Sequence, residues 1–157
     1  MTDREAKWEV EDLLDRYAQC LDEERLEDWP EFFTDTSVYR IIPRENLDRG
    51  FALASMSCES KGMMMDRVTA IRNACVFSRR YLRHLVTNVR ITGREGDVYL
   101  VQANYAVLQT TQGDETRVFN AGRYQDKVAF LNGTPKFLEK IVVYDSLQIP
   151  GMLVIPI

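Results

Sequence analysis

The 157-residue chain contains one histidine, His84. That scarcity excludes several metal chemistries. An iron site built from two histidines and a carboxylate needs a second histidine in the same chain. A Rieske cluster needs two cysteines and two histidines, and structural zinc needs four Cys or His ligands, usually closely spaced. Cysteine is sparse too: Cys20, Cys58 and Cys75 are widely separated, with no Cys-x-x-Cys. An odd, dispersed set reads as free thiols in an intracellular setting. There is no Gly-rich phosphate loop and no Gly-x-Ser-x-Gly elbow. No run approaches the ~20 apolar residues of a membrane span. The opening Met1-Thr-Asp-Arg-Glu-Ala-Lys7 is charged, unlike a signal peptide or anchor, so a cytoplasmic protein without membrane contact is expected. A net charge of −4 argues against a nucleic-acid partner, because phosphate binding needs a positive field.

Hydrophobic residues make up 45% of the chain, as in soluble globular proteins. The length predicts a single domain over residues 1–157, which buries ~68–70% of its unfolded surface without staples. One local basic run, Arg79-Arg80-x-x-Arg83, reads either as an anion or partner patch or, more ordinarily, as a solvated stretch.

The first half reads as helix and the second as strand. Val10, Leu13, Leu14, Tyr17, Ala18 and Leu21 recur at helical spacing. Leu26, Trp29, Phe32 and Phe33 resume the period in a short helix that Pro30 starts near Asp28. Trp29, Phe32 and Phe33 are predicted core residues. Val38–Ile42 is a short strand stopped by Pro43, and residues 44–60 are ambiguous, with Gly50 and the Ser55, Ser57 and Ser60 cluster suggesting loop. Met63–Asn73 is helical again, and the Met63-Met-Met65 run reads as packing one or two side chains into the core rather than as an adaptable surface.

From His84 the period is two. Leu85, Val89 and Ile91 fall on one strand face, with His84, Val86 and Asn88 on the other. Val98–Thr111, Thr116–Phe130 and Lys136–Asp145 follow as strands, with turns at Gly93–Gly96, Gln112–Glu115 and Asn132-Gly133. Strands this long must twist or bulge, and Gly122 is a natural bend. The fold class expected is α+β: a cone-shaped, curved antiparallel sheet with N-terminal helices on its concave face. The uncharged tail Ile149–Ile157 reads as a cover over its own sheet or over a neighbouring subunit.

What chemistry remains is acid–base work in such a cone. His84 and Asn88 share a face on this reading. Tyr105, Tyr144 and Asp145 lie on other strands, and Asp22 sits at a helix end. A His or Asp base with a Tyr donor would serve an isomerase or dehydratase. The plainer reading makes His84 a hydrogen-bonded structural or interface group.

Several stretches occur in a telling order: Asp28-Trp-Pro-Glu-Phe-Phe33 with Tyr39-Arg40; Pro43-Arg-Glu-Asn46; Glu59-Ser-Lys61; Asp66-Arg-Val68; Tyr81-x-Arg83-His84; Asn120-Ala-Gly-Arg-Tyr124 with Asp126; and Val143-Tyr-Asp-Ser146 with Ile149-Pro150 and Ile155-Pro-Ile157. Through them the chain resembles the small (β) subunit of Rieske non-haem iron aromatic-ring-hydroxylating oxygenases. That family has the cystatin-like cone fold of nuclear transport factor 2 and scytalone dehydratase. The Pro-Arg-Glu-Asn and Glu-Ser-Lys pieces look closest to the branch acting on salicylate, benzoate and related aromatic carboxylates. The resemblance implies a non-catalytic subunit with no cofactor of its own. The large (α) subunit would hold the Rieske [2Fe-2S] cluster and the mononuclear iron, usually as three large with three small subunits. A homotrimer is plausible in isolation. Candidate pocket or interface residues are Arg79, Tyr81, Arg83, His84, Asn88, Tyr124, Tyr144 and Asp145. A stand-alone isomerase or dehydratase using His84, and a ligand-binding module of the same fold, are the alternatives.

Overall fold

Thr2 opens the first helix. In the computed structural model, which describes residues 1–50, 53–74, 80–146 and 155–157, α1 runs Asp3–Asp22. The Glu5 N–H donates to Thr2 Oγ1 at 3.3 Å, and the Thr2 N–H donates to Glu5 Oε2 at 2.7 Å. This reciprocal cap satisfies donors that a helix start leaves open, worth ~1 kcal/mol. The predicted stripe is buried: Val10, Leu13, Leu14, Tyr17, Ala18 and Leu21, with Ala6 and Cys20. Glu24, at φ 55°, turns the chain out of the helix, and the Arg25 N–H donates to the Cys20 carbonyl at 2.9 Å. Pro30 sits at the start of a short 3-10 helix, Trp29–Phe32, flanked by Asp28. Trp29 and Phe33 are buried as expected, whereas Phe32 is only half-buried against the core.

Strand β1 spans Phe33–Pro43, longer than its apolar core predicts. The ambiguous stretch 44–60 contains a helix, α2 (Arg44–Asp48), and a strand, β2 (Met56–Cys58). Helix α2 buries no side chain fully and carries surface i,i+4 pairs such as Arg44–Asp48. Without an apolar stripe it has no periodic signature. Helix α3, Lys61–Ala74, buries Met64, Val68 and Ile71. The methionine run thus delivers one side chain to the core, with Met63 and Met65 exposed.

The long strands are β3 (Arg80–Glu95), β4 (Val98–Thr111), β5 (Thr116–Leu131) and β6 (Thr134–Tyr144). They join β1 and β2 in a six-stranded sheet of order β2-β1-β6-β5-β4-β3. The meander and the α+β class match expectation. One pairing departs from it: β1 runs parallel to β6, from Phe33↔Phe137 to Pro43↔Tyr144. The chain brings an early strand back beside its last one, a long-range choice that local pattern does not encode. No described helix is long and apolar enough to cross a membrane.

Bulges curve the sheet and reset which side chains face inward. Between Thr87↔Asn104 and Arg90↔Gln102, two β3 residues oppose one on β4. Asn88 lies there at φ 56°, a conformation asparagine tolerates better than most side chains. His84 is therefore buried while Leu85 is half exposed, and past the bulge Val89 and Ile91 pack against the core. The predicted grouping of Leu85 with Val89 and Ile91 is corrected, because one extra residue inverts strand parity. Phe119 and Leu138 are unpaired in the same way on β5 and β6.

Gly122 is the tightest point. It faces Tyr105 on β4 and Tyr144 on β6, and an added Cβ would sit 1.9 Å from the Val143 carbonyl oxygen. Backbone on both sides cannot move independently. Gly122→Ala is therefore expected to lower stability by ~1–3 kcal/mol or more, read by chemical denaturation. Wild-type stability in this variant would contradict the close approach.

Candidate functional site

The interior of the cone is aromatic with a charged pair inside it. Tyr17 from α1 meets Phe32, Phe33, Tyr124 and Phe137 edge-on at centroid distances of 5.6–6.4 Å. Tyr105 and Tyr124 stack at 4.6 Å and 8°. One sheet row reads Ile91–Val101–Asp126–Lys140–Tyr39. In it, Lys140 Nζ donates to Asp126 Oδ2 at 2.9 Å, and both side chains are wholly buried. The ammonium also lies 3.5 Å from the Tyr124 ring centroid and within 4.7 Å of those of Tyr17 and Phe137, a cation–π arrangement. Burial nevertheless dominates: it pushes the Asp126 carboxyl up to about 6 and holds Lys140 below its ordinary value.

A second pairing ties α1 to the sheet edge. Both Asp22 carboxylate oxygens accept from the His84 backbone N–H at 3.0 Å, and His84 Nδ1 lies 2.6 Å from Asp22 Oδ1. Against a carboxylate oxygen, which only accepts, Nδ1–H is the donor. Nε2 is buried without a hydrogen-bond partner among the described residues. Asp22 thus caps a backbone donor of an edge strand, a group that otherwise invites pairing with another chain.

The predicted site residues do not converge. Arg79 lies outside the described residues. Tyr81 and Arg83 are exposed on β3. His84 is buried against Asp22, and Asn88 is exposed on the bulge, so the expected His84–Asn88 face does not exist. Tyr124 is in the core, and its hydroxyl has no partner among the described residues. Tyr144 is buried and shares a 2.7 Å hydrogen bond with Ser55 Oγ. Asp145 is exposed and accepts from Arg44 Nη1 at 3.2 Å. Three strand spacings separate His84 on β3 from Tyr144 on β6, roughly 14 Å at ~4.8 Å each. An isomerase site would need its base and donor within reach of one substrate.

Sequence reasoning missed the Asp126–Lys140 pair. Alternation from Phe137 places Glu139, Ile141 and Val143 inward. The bulge at Leu138 instead turns Lys140, Val142 and Tyr144 inward. The available signal was a lysine inside the apolar run Phe137–Tyr144 that opposes an aspartate on the neighbouring strand pattern.

Comparison with known proteins draws these features together. Residues 2–138 match the SnoaL-like domain. Over 155 residues the chain is 33% identical to the anthranilate 1,2-dioxygenase small subunit of Burkholderia cepacia, covering 99% of this chain and 96% of that one. The chain belongs to the small-subunit family of aromatic-ring-hydroxylating dioxygenases. A β subunit of the terephthalate 1,2-dioxygenase terminal oxygenase component from Comamonas sp is 30% identical, covering 90% of this chain and 92% of its own length. Among solved structures, a protein assigned as the β subunit of an aromatic-ring-hydroxylating dioxygenase from Novosphingobium aromaticivorans superposes with a TM-score of 0.90. It is 42% identical, and 98% of each chain is covered.

The motif residues of this dioxygenase small subunit mostly serve its own fold. Arg40 grips Glu59 with contacts of 3.0 and 3.1 Å, and Lys61 pairs with Glu31 at 3.0 Å. Asn46 Nδ2 donates to the Leu53 carbonyl at 3.1 Å. Among the described residues no three His, Cys, Asp or Glu side chains gather in a metal-binding arrangement. With one histidine in the chain, its Nδ1 held by Asp22, the donor set does not fit a Rieske cluster or a two-histidine iron site.

Proposed function

We propose that this chain is the non-catalytic small subunit of a multicomponent oxygenase that hydroxylates aromatic rings, most readily those of aromatic carboxylates. Its role is to support assembly of a large subunit that carries the Rieske cluster and the mononuclear iron, in a complex of three large and three small subunits. The observation carrying this reading is likeness to a dioxygenase small subunit along 99% of the chain. The poor fit of its donors to either iron centre agrees with it.

Co-expression with a large oxygenase subunit of this family is the test. The two should co-purify in equal amounts, with a Rieske-type visible spectrum and turnover of anthranilate, benzoate, salicylate or terephthalate. The chain purified alone without chelators should contain no stoichiometric iron. Iron in the isolated chain, or failure to associate with the large subunit, would sink the proposal.

His84 separates this role from acid–base catalysis. In the assembled oxygenase, His84→Gln should retain most of the turnover, because the Asp22–His84 contact joins helix to sheet. A loss of ~10²–10⁴-fold with assembly intact would instead mark a general acid or base.

A further inference from the structure

Trp8 on α1 is 71% exposed, the most open aromatic side chain among the described residues, although tryptophan is on average well buried. Hollows flank the ring on both sides. Arg4, Glu5, Lys7 and Glu11 share one with it. Glu11, Asp12 and Asp15 share the other, which β3 closes along Val86–Val89. Helix α1 carries seven acidic and three basic residues, so the ring stands in a negative field. Glu11 and Asp12 lie three and four residues on, beside the ring on the same helix face. Their pairs with Lys7 and Arg16, at 3.1 and 2.7 Å, are on the surface and are weakly held.

The outer side of the sheet has the opposite character. Strand β3 carries four arginines against one glutamate, and β4 carries no charge. A hollow of about 290 Å³ opens there, lined by Thr92, Leu100, Gln102, Gln125, Lys127 and Ile141. Ile141 belongs to the outer apolar cluster with Ile42 and Val143. Arg90 stands opposite Gln102 in register. Arg123 is two residues from Gln125 on β5, so it shares that face. With the Gln125 amide turned to accept, Arg123 donates to it at 3.3 Å. Glu139 closes the β6 side of the hollow. Its floor is thus apolar and amide, and its border is cationic. The volume lies at the small end of ligand pockets, ~300 Å³ upward, and suits one aromatic side chain. Helix α1 packs on the inner side with the main core, so ring and hollow do not meet within one molecule.

We propose that the Trp8 ring of one copy docks into the outer hollow of a second copy, with Glu11, Asp12 and Asp15 set against Arg90, Arg123 and Lys127. Tryptophan and arginine dominate the binding energy of interfaces, and a guanidinium stacks well on an indole face. The remaining charges agree in sign, since Arg4 and Lys7 beside Trp8 complement Glu139 beside the hollow. Both halves of the contact belong to this chain, which is why the occupant assigned is a second copy rather than another protein. The contact needs no large subunit, so it stands or falls apart from the assembly role proposed above.

The full chain alone provides the test. Sedimentation from ~1 μM to ~1 mM should show self-association. It should weaken in ~1 M salt, where the screening length falls to ~3 Å. Trp8→Ala and Arg90→Glu replace exposed side chains. Each variant should therefore keep the wild-type melting temperature while associating at least ~10-fold more weakly. Mixed one to one, the two should associate again, because the Arg90→Glu chain keeps the indole and the Trp8→Ala chain keeps the hollow. Tryptophan emission is a second readout. It should shift to the blue as the wild-type chain is concentrated, and stay fixed in Trp8→Ala, which retains only the buried Trp29. A chain that stays monomeric throughout overturns the proposal. So does association that neither variant weakens, and so does a mixture that fails to recover.

Discussion

Lys140→Met should destabilise the chain by ~3–5 kcal/mol, because it leaves the Asp126 carboxylate buried and alone. For a domain of this size that lowers the melting temperature by roughly 10 °C or more. The pair itself contributes much less than this. Lys140→Met combined with Asp126→Leu removes both charges and keeps the volume, so the double variant should lie near wild type or above it. Among the described residues Asp126 Oδ1 has no hydrogen-bond partner, so the pair is not fully satisfied. If the double variant were as unstable as the single one, the contact would owe its value to shape rather than to charge.

The same pair has a pH signature. The Asp126 carboxyl sits at about 6 in the folded chain and near ~3.9 when unfolded. Between those values the folded state holds more protons, so stability falls as pH rises from about 4 to about 6. The full span corresponds to roughly 2–3 kcal/mol. Lys140 is shifted downward, so its contribution is lost as pH falls from the unfolded lysine range through its folded value. Measured against the double variant, wild-type stability should show the decline between pH 4 and 6. A parallel pair of curves would remove burial as the cause.

Phe33→Ala is the second large effect. Phe33 is buried and its ring meets Trp29, Tyr39, Phe137 and Tyr17 at centroid distances of 5.4–6.3 Å. Truncation should cost ~3–5 kcal/mol. Phe32, one residue earlier, is half-buried and among the described residues has one ring partner, Tyr17 at 5.9 Å. Phe32→Ala should cost clearly less, about half. Denaturant midpoints of the two variants decide the matter, and equal losses would contradict the burial seen here.

Much of this molecule was legible in its sequence because the signals are local. The α1 stripe, the Pro30 helix start, Asn132-Gly133 and the Met64–Val68–Ile71 spacing each depend on neighbours within a few residues. Ordered motifs from Asp28 to Ile157 carried the likeness to dioxygenase small subunits, and one histidine in the whole chain limited the metal chemistry. Helix α2 and strand β2 escaped notice because elements of five and three residues have no period to read.

Tertiary structure decided what faces inward. The bulges at Asn88, Phe119 and Leu138 each invert a strand's parity. Strand β6 hides its own bulge because it is apolar on both faces: Val142 joins the main core, while Ile141 and Val143 join a separate cluster on the far side with Ile42. Simple alternation along Phe137-Leu-Glu-Lys-Ile-Val-Val-Tyr144 puts Lys140 outward, and only the bulge at Leu138 turns it in. Tyr17 and Tyr39 likewise meet Ile157 across 140 and 118 residues of chain. Composition and spacing determine which segments become helix or strand, since those preferences are local. Hydrogen-bond partners this far apart are chosen only when the sheet closes around the helix and buried donors need acceptors.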